Sequence, residues 1–121
     1  MACILAVDDS PSIRQLVAMT LESGGHSVHM ADDGVNALAM AKNIAADLVI
    51  TDVHMPNMDG ITLTSELRSL PQYQYKPILI LTTESSQAMK LKGKSAGATG
   101  WIVKPFDPQE LLQVLDKVLA G

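Results

Sequence analysis

Asp8 and Asp9 adjoin one another, Asp52 closes a separate apolar run, and Thr82 and Lys104 close two more. Those residue types suit one chemistry. Carboxylates held close together repel, and partial burial makes each charge costlier. A hard divalent cation relieves both effects. Mg2+ prefers octahedral oxygen ligands, keeps several waters and often uses one or two carboxylates plus phosphate. Asp8, Asp9 and Asp52 supply such a set, and the backbone carbonyl of His54, in the loop just past Asp52, is a further candidate ligand. A carboxylate can also act as a nucleophile and form an acyl phosphate. Phosphoryl transfer then needs positioning and charge neutralisation more than covalent help. The Lys104 ammonium is a compact point charge for one phosphoryl oxygen, and the Thr82 hydroxyl with backbone N–H groups suits another.

Each residue alone has a plainer explanation. Asp9 before Ser10-Pro11 can cap a helix, and Lys104-Pro105 can be a surface turn. The conjunction carries the argument: acidic pair, acid, hydroxyl and lysine each stand at the end of a different predicted strand.

Those strands come from short apolar runs that alternate with segments of helical period. Ile4 to Val7, Leu48 to Ile50, Pro77 to Leu81 and Trp101 to Val103 are continuous runs, and Ser27 to Ala31 alternates. Ser10 and Pro11 start a helix through Ile13, Leu16, Val17, Thr20 and Leu21, and Gly24-Gly25 stops it. After Asp32-Asp33-Gly34 comes a small-residue stripe of Ala37, Leu38, Ala41, Ile44 and Ala45. Asp59 caps a helix through Leu63, Leu67 and Leu70. Ser85 to Ala96 has helical length, and Gly93 weakens it by about 1 kcal/mol relative to Ala. Asp107-Pro108-Gln109-Glu110 resembles a capping box ahead of Leu111, Val114, Leu115 and Val118. Strict alternation with continuous apolar strands predicts an α/β fold: a doubly wound parallel sheet of five strands covered by five helices. Ligands of such sheets bind beyond the carboxyl ends of the strands. The strand order can put Asp32-Asp33 at the sheet edge.

The 121 residues suit one domain, 1–121. Hydrophobic residues make up 47% and charged residues 18%, enough apolar material for a core and too little charge for a disordered chain. Aromatics at 3% leave Leu, Ile, Val, Met and Ala to build that core. A net charge of −4 argues against nucleic acid as partner. Cys3 is the only cysteine, which excludes an internal disulfide and fits a reducing compartment. The N-terminal apolar stretch is too short for a signal peptide and lacks a basic flank. No run approaches membrane-spanning length. The expected location is the cytoplasm.

The segments VDDS at 7–10, TDVHMPNMDG at 51–60, LTTE at 81–84 and GATGWIVKPF at 97–106, in that order, resemble the receiver domains of response regulators. The likeness covers essentially the whole chain and is greatest to the single-domain chemotaxis type, the CheY-like regulators. It implies Mg2+ on Asp8 and Asp9, phosphorylation of Asp52, a switch hydroxyl on Thr82, phosphate binding by Lys104, and a cis bond between Lys104 and Pro105. Trp101 stands where Tyr or Phe is usual. It is either the aromatic part of the switch or a half-buried surface aromatic. His54 departs from the Asn of the chemotaxis type, and with Glu84 it flanks the phosphoryl position, so an altered dephosphorylation rate is expected.

The implied partners are a histidine kinase as phosphodonor, a phosphatase, and an output protein met through the face of the fourth helix, fifth strand and fifth helix. A flagellar motor switch is the natural output. A phosphorelay intermediate or phosphate sink would share the same sequence features. A dehalogenase-type aspartyl phosphatase would want an acid where His54 stands, and a pseudo-receiver would not need the intact acidic set. Self-phosphorylation and self-dephosphorylation are then the only reactions expected. Ala120-Gly121 follows the last helix directly, which permits a place in a larger regulator. His26 and His29 lack ligand-spaced partners, the methionines suit core filling, and Lys90, Lys92 and Lys94 make a basic patch.

Overall fold

In the computed structural model, residues 2–120 are described. Met1 and Gly121, the ends of the expected 1–121 domain, lie outside them. The elements run β1 (Cys3–Val7), α1 (Pro11–Ser23), β2 (Ser27–Ala31), α2 (Gly34–Asn43), β3 (Leu48–Thr51), α3 (Gly60–Arg68), β4 (Ile78–Thr82), α4 (Gln87–Ala96), β5 (Gly100–Val103) and α5 (Pro108–Ala120), with a short 3-10 turn at Pro71–Tyr73. The five strands are parallel and ordered β2-β1-β3-β4-β5. The fold is the expected doubly wound α/β sheet with five helices.

Alternation along the central strands sends side chains to two cores. Ile4, Ala6, Leu48, Ile50, Leu79 and Leu81 meet α1 and α5 through Val17, Leu21, Leu111 and Leu115. Leu5, Val7, Val49 and Ile78 meet α2 and α3 through Ala37, Ala41, Leu63 and Leu67. Strands covered on both faces need apolar residues at every position, which is why β1, β3 and β4 are unbroken runs. The edge strand β2 is less buried, and Met30 is exposed on it.

Helix starts follow side-chain oxygens. Ser10, Asp33, Asp59 and Ser86 each accept from the backbone N–H three residues on. Asp107 Oδ1 accepts from the N–H groups of Gln109 and Glu110.

Several expected boundaries shift. The small-residue helix stops at Asn43, so Ile44 and Ala45 lie beyond it and Ala45 is exposed. The buried Tyr73 hydroxyl explains the stop: it donates toward the carbonyls of Ala41 (2.7 Å) and Ile44 (3.0 Å) and accepts from Ala46 N–H (3.4 Å). It thereby satisfies groups the helix end leaves unpaired. Burial raises the Tyr73 pKa above the ordinary phenol range. Leu70 lies beyond α3, where Pro71 opens the 3-10 turn. Leu16, Met19 and Met30 are exposed rather than core, so methionine is only partly core filler here.

Arg68, the last residue of α3, ties several segments together. Its guanidinium donates to the carbonyls of Tyr73 (2.7 Å), Lys76 (2.6 Å) and Gly97 (2.8 Å), and to Thr99 Oγ1 (3.3 Å). Gly97 caps the end of α4 at φ 105.

Among the described residues no helix is long and apolar enough to cross a membrane.

Candidate acidic and lysine site

β1, β3 and β4 are neighbours and β5 flanks β4, so the ends of all four strands converge. Asp8 follows β1, Asp52 follows β3, Thr82 closes β4 and Lys104 follows β5. Asp8, Asp9 and Asp52 each present one carboxylate oxygen, all within 4.8 Å of one another. The donor set is all oxygen and strongly negative, which fits a hard divalent ion such as Mg2+. Asp8 is buried, Asp9 exposed and Asp52 half-buried, so the cluster opens to solvent on the Asp9 side.

The Lys104 ammonium sits 2.6 Å from Asp8 Oδ2 and 3.1 Å from Asp52 Oδ2. The three side chains are only 10%, 8% and 13% exposed, so little water screens these contacts. Burial disfavours the charged lysine, but the hydrogen bond to Asp8 and the charge of Asp52 outweigh it, and the Lys104 pKa lies above its ordinary value. Asp8 Oδ1 accepts from Ser10 N–H (2.9 Å), and the Arg14 guanidinium donates to the Asp8 carbonyl (2.6 Å). Asp52 Oδ1 accepts from Val53 N–H (2.6 Å). Both acids are thus held from two sides. The Lys104–Pro105 peptide is cis, as the resemblance implied.

Thr82 is fully buried, and its hydroxyl oxygen accepts from Glu84 N–H (3.2 Å). The Lys104 N–H donates to the Thr82 carbonyl (2.7 Å), so the β4 and β5 ends are locked together. Glu84 is the joint of the next shell outward. Its Oε2 lies 3.1 Å from His54 Nε2, its Oε1 accepts from Ser86 N–H (3.3 Å), and its carbonyl accepts from the Trp101 indole N–H (2.9 Å). The bond from His54, aided by Ser86, lowers the Glu84 pKa below the usual carboxylate value. The His54 backbone carbonyl accepts no hydrogen bond among the described residues, which leaves it open to a ligand.

Trp101 is half-buried with its ring laid on Gly93, where a Cβ would come within 2.7 Å of the indole. Gly93 therefore serves packing as well as weakening α4. His26 accepts from Ala2 N–H through Nδ1 (3.1 Å), a sheet-edge role, and His29 is exposed on β2. Lys92 and Lys94 are exposed on α4 and Lys90 is half-buried.

Sequence reasoning missed Arg14 and the contacts of Asp33. The arginine could have been found from its place one turn into α1, within reach of the acidic pair. The Asp33 contacts depend on strand order and had no local signal.

Residues 4–116 match the family described as the response regulator receiver domain. The chain is 36% identical over 121 residues to Protein PilH of Pseudomonas aeruginosa, covering 100% of each. The structure of Vibrio cholerae chemotaxis protein CheY4 superposes with a TM-score of 0.94 at 51% identity, covering 98% of each chain. The receiver domain of the P. aeruginosa sensor histidine kinase PA1611, described with magnesium coordinated in its active-site cleft, gives a TM-score of 0.93 at 28% identity over 99% of this chain and 98% of that one.

Proposed function

This chain belongs to the response regulator receiver domain family, and from that premise we propose that it is a phosphorylation-activated switch of a two-component system. Asp52 accepts a phosphoryl group from a histidine kinase with Mg2+, and the protein then changes its affinity for a partner in chemotaxis-type signalling. A flagellar motor switch is the partner we favour. The carrying observation is the placement of Asp52 between an acidic pair and a buried lysine at converging strand ends.

In the transfer, an Asp52 oxygen attacks phosphorus, and the bond from phosphorus to the donor nitrogen breaks with its electrons leaving on the imidazole. Asp8, Asp9, Asp52 and the His54 carbonyl would hold Mg2+, which when bound neutralises phosphoryl charge. Lys104 moves from its two carboxylates toward the new phosphoryl oxygens, and the Thr82 hydroxyl turns to donate to another. Thr82 already contacts Glu84 N–H, and Glu84 contacts Trp101 and the α4 cap, so this motion is felt on the face of α4, β5 and α5. That face bears exposed Leu91, Val103, Lys92 and Lys94, an apolar and basic surface suited to an acidic partner. The aspartyl phosphatase alternative loses ground, because His54 occupies the general-acid position and pairs with Glu84.

The test is incubation with Mg2+ and acetyl phosphate followed by intact mass under conditions that preserve acyl phosphates. One phosphoryl adduct is expected on the wild type and none on Asp52→Asn. A wild type that binds Mg2+ and beryllofluoride poorly and gains no adduct would overturn the proposal.

The same preparation checks a second expectation. The His54–Glu84 pair joins the loop after β3 to the end of β4, and we infer that it hinders the approach of water to the acyl phosphate. His54→Asn and Glu84→Gln should each shorten the life of the adduct a few-fold. Decay rates equal to wild type would remove the pair from that role.

A further inference from the structure

Asp33 is only 7% exposed, although it belongs to β2–α2 at the sheet edge and not to the acidic cluster. Its two oxygens do different work. Oδ1 accepts from Asn36 N–H (2.8 Å) and caps α2. Oδ2 accepts from the side-chain amide of Asn57 (2.7 Å), in the loop between β3 and α3. The bonds from Asn36 and Asn57 lower the Asp33 pKa, so the carboxylate is charged at neutral pH.

Asn57 has φ 69 and is the non-glycine residue with positive φ among the described residues. Asn tolerates that conformation better than most residues, but it still has a cost. A second contact runs beside the first: Gly34 N–H donates to the Met58 carbonyl (3.2 Å), and a Cβ on Gly34 would come within 2.5 Å of that oxygen. The N-terminus of α2 therefore grips residues 57 and 58 directly. The base of the same loop is closed by Gly60 N–H to the Val53 carbonyl (2.8 Å). His54, whose carbonyl is a candidate Mg2+ ligand, lies between these two fixed points.

We propose that Asp33 and Asn57 form a clasp that positions the phosphoacceptor loop for metal binding, making α2 a working part of the site. The inference rests on the receiver reading above. Asp33 and Asn57 are positioning residues, acting through the loop backbone and touching no ligand. The outer partners of metal ligands commonly influence affinity this way.

The test is Mg2+ titration by calorimetry, at a temperature where circular dichroism shows every variant folded. Asp33→Ser keeps an oxygen for the α2 cap but is too short to reach the Asn57 amide. Asn57→Gly keeps the left-handed backbone but deletes the side-chain bond. Each should raise the Mg2+ dissociation constant roughly 10-fold. The double swap Asp33→Asn with Asn57→Asp reverses the hydrogen bond and should restore affinity to near the wild-type value. A merely structural role would lower the melting temperature and leave Mg2+ affinity alone, and that result overturns the clasp. So would weakened singles without rescue by the swap. A wild type that binds no Mg2+ would instead overturn the receiver reading beneath it.

Discussion

Replacing Lys104 by Met is expected to cut phosphorylation of Asp52 by at least about 100-fold, the loss typical of removing one preorganised charge-stabilising donor, while tightening Mg2+ binding. The two effects have one electrostatic origin. The ammonium lies 2.6 Å from Asp8 and 3.1 Å from Asp52 in a largely dry setting. At an effective dielectric of about 20, unit charges about 3 Å apart interact by roughly 5 kcal/mol, before desolvation is subtracted. Without the lysine that attraction is lost and the acidic cluster becomes more negative. An added dication then binds more tightly, but the transferring phosphoryl group has lost its fixed cation.

The pH behaviour separates this account from general destabilisation. The folded Lys104 pKa is raised above its unfolded value. Its contribution is therefore complete below the unfolded lysine pKa and is lost only as pH rises through the folded one. The stability gap between wild type and Lys104→Met should stay flat from about pH 6 to 9 and close only in stronger alkali. Calorimetry with Mg2+ and intact mass after acetyl phosphate read both effects. Unchanged phosphorylation would exclude Lys104 from the transfer. Weaker Mg2+ binding would mean the lysine organises the carboxylates and does not compete with the metal.

Gly60→Ala is expected to destabilise the domain by more than about 4 kcal/mol, a large part of the 5–15 kcal/mol that domains typically have. A Cβ there would lie 1.8 Å from the Asp52 carbonyl oxygen and 2.8 Å from its carbon. The obstacle is backbone, so no rotamer relieves it. Asp52 cannot retreat easily, because its N–H donates to the Val7 carbonyl (3.0 Å). Chemical denaturation gives the number. A loss below about 1 kcal/mol would show that the loop relaxes and that the contact is not a constraint.

Much of this was legible in the residue order. Strands covered on both faces announce themselves as unbroken apolar runs, and β1, β3 and β4 do so within a residue of their ends. The five candidate site residues were legible because each stands at or just past a strand terminus, where doubly wound sheets gather ligands. What stayed hidden depends on contacts distant in the chain. The end of α2 is set by Tyr73, some 30 residues on. His54 and Glu84 were both named, but their pairing needed β3 and β4 to be neighbours. Asp33 and Asn57 stand 24 residues apart, and their bond depends on how the ends of β2 and β3 are set in the sheet. Gly93, taken as a weak point of its helix, faces an indole that no local pattern could supply.

The Arg68 contacts give α4 two unequal ends. At the C-terminal end, a half-buried guanidinium binds the capping carbonyl of Gly97 and anchors it to α3 and the approach to β4. At the N-terminal end, the helix hangs on exposed bonds of Ser86 to Glu84 and Met89. Segments held by few exposed hydrogen bonds open at lower free energy than those held by buried ones. The helix is thus a lever with a fixed fulcrum at Gly97, and its free end is the one joined to Thr82 and Trp101 through Glu84. A displacement at the strand ends is then expected to move the Ser86 end of α4 more than the Gly97 end.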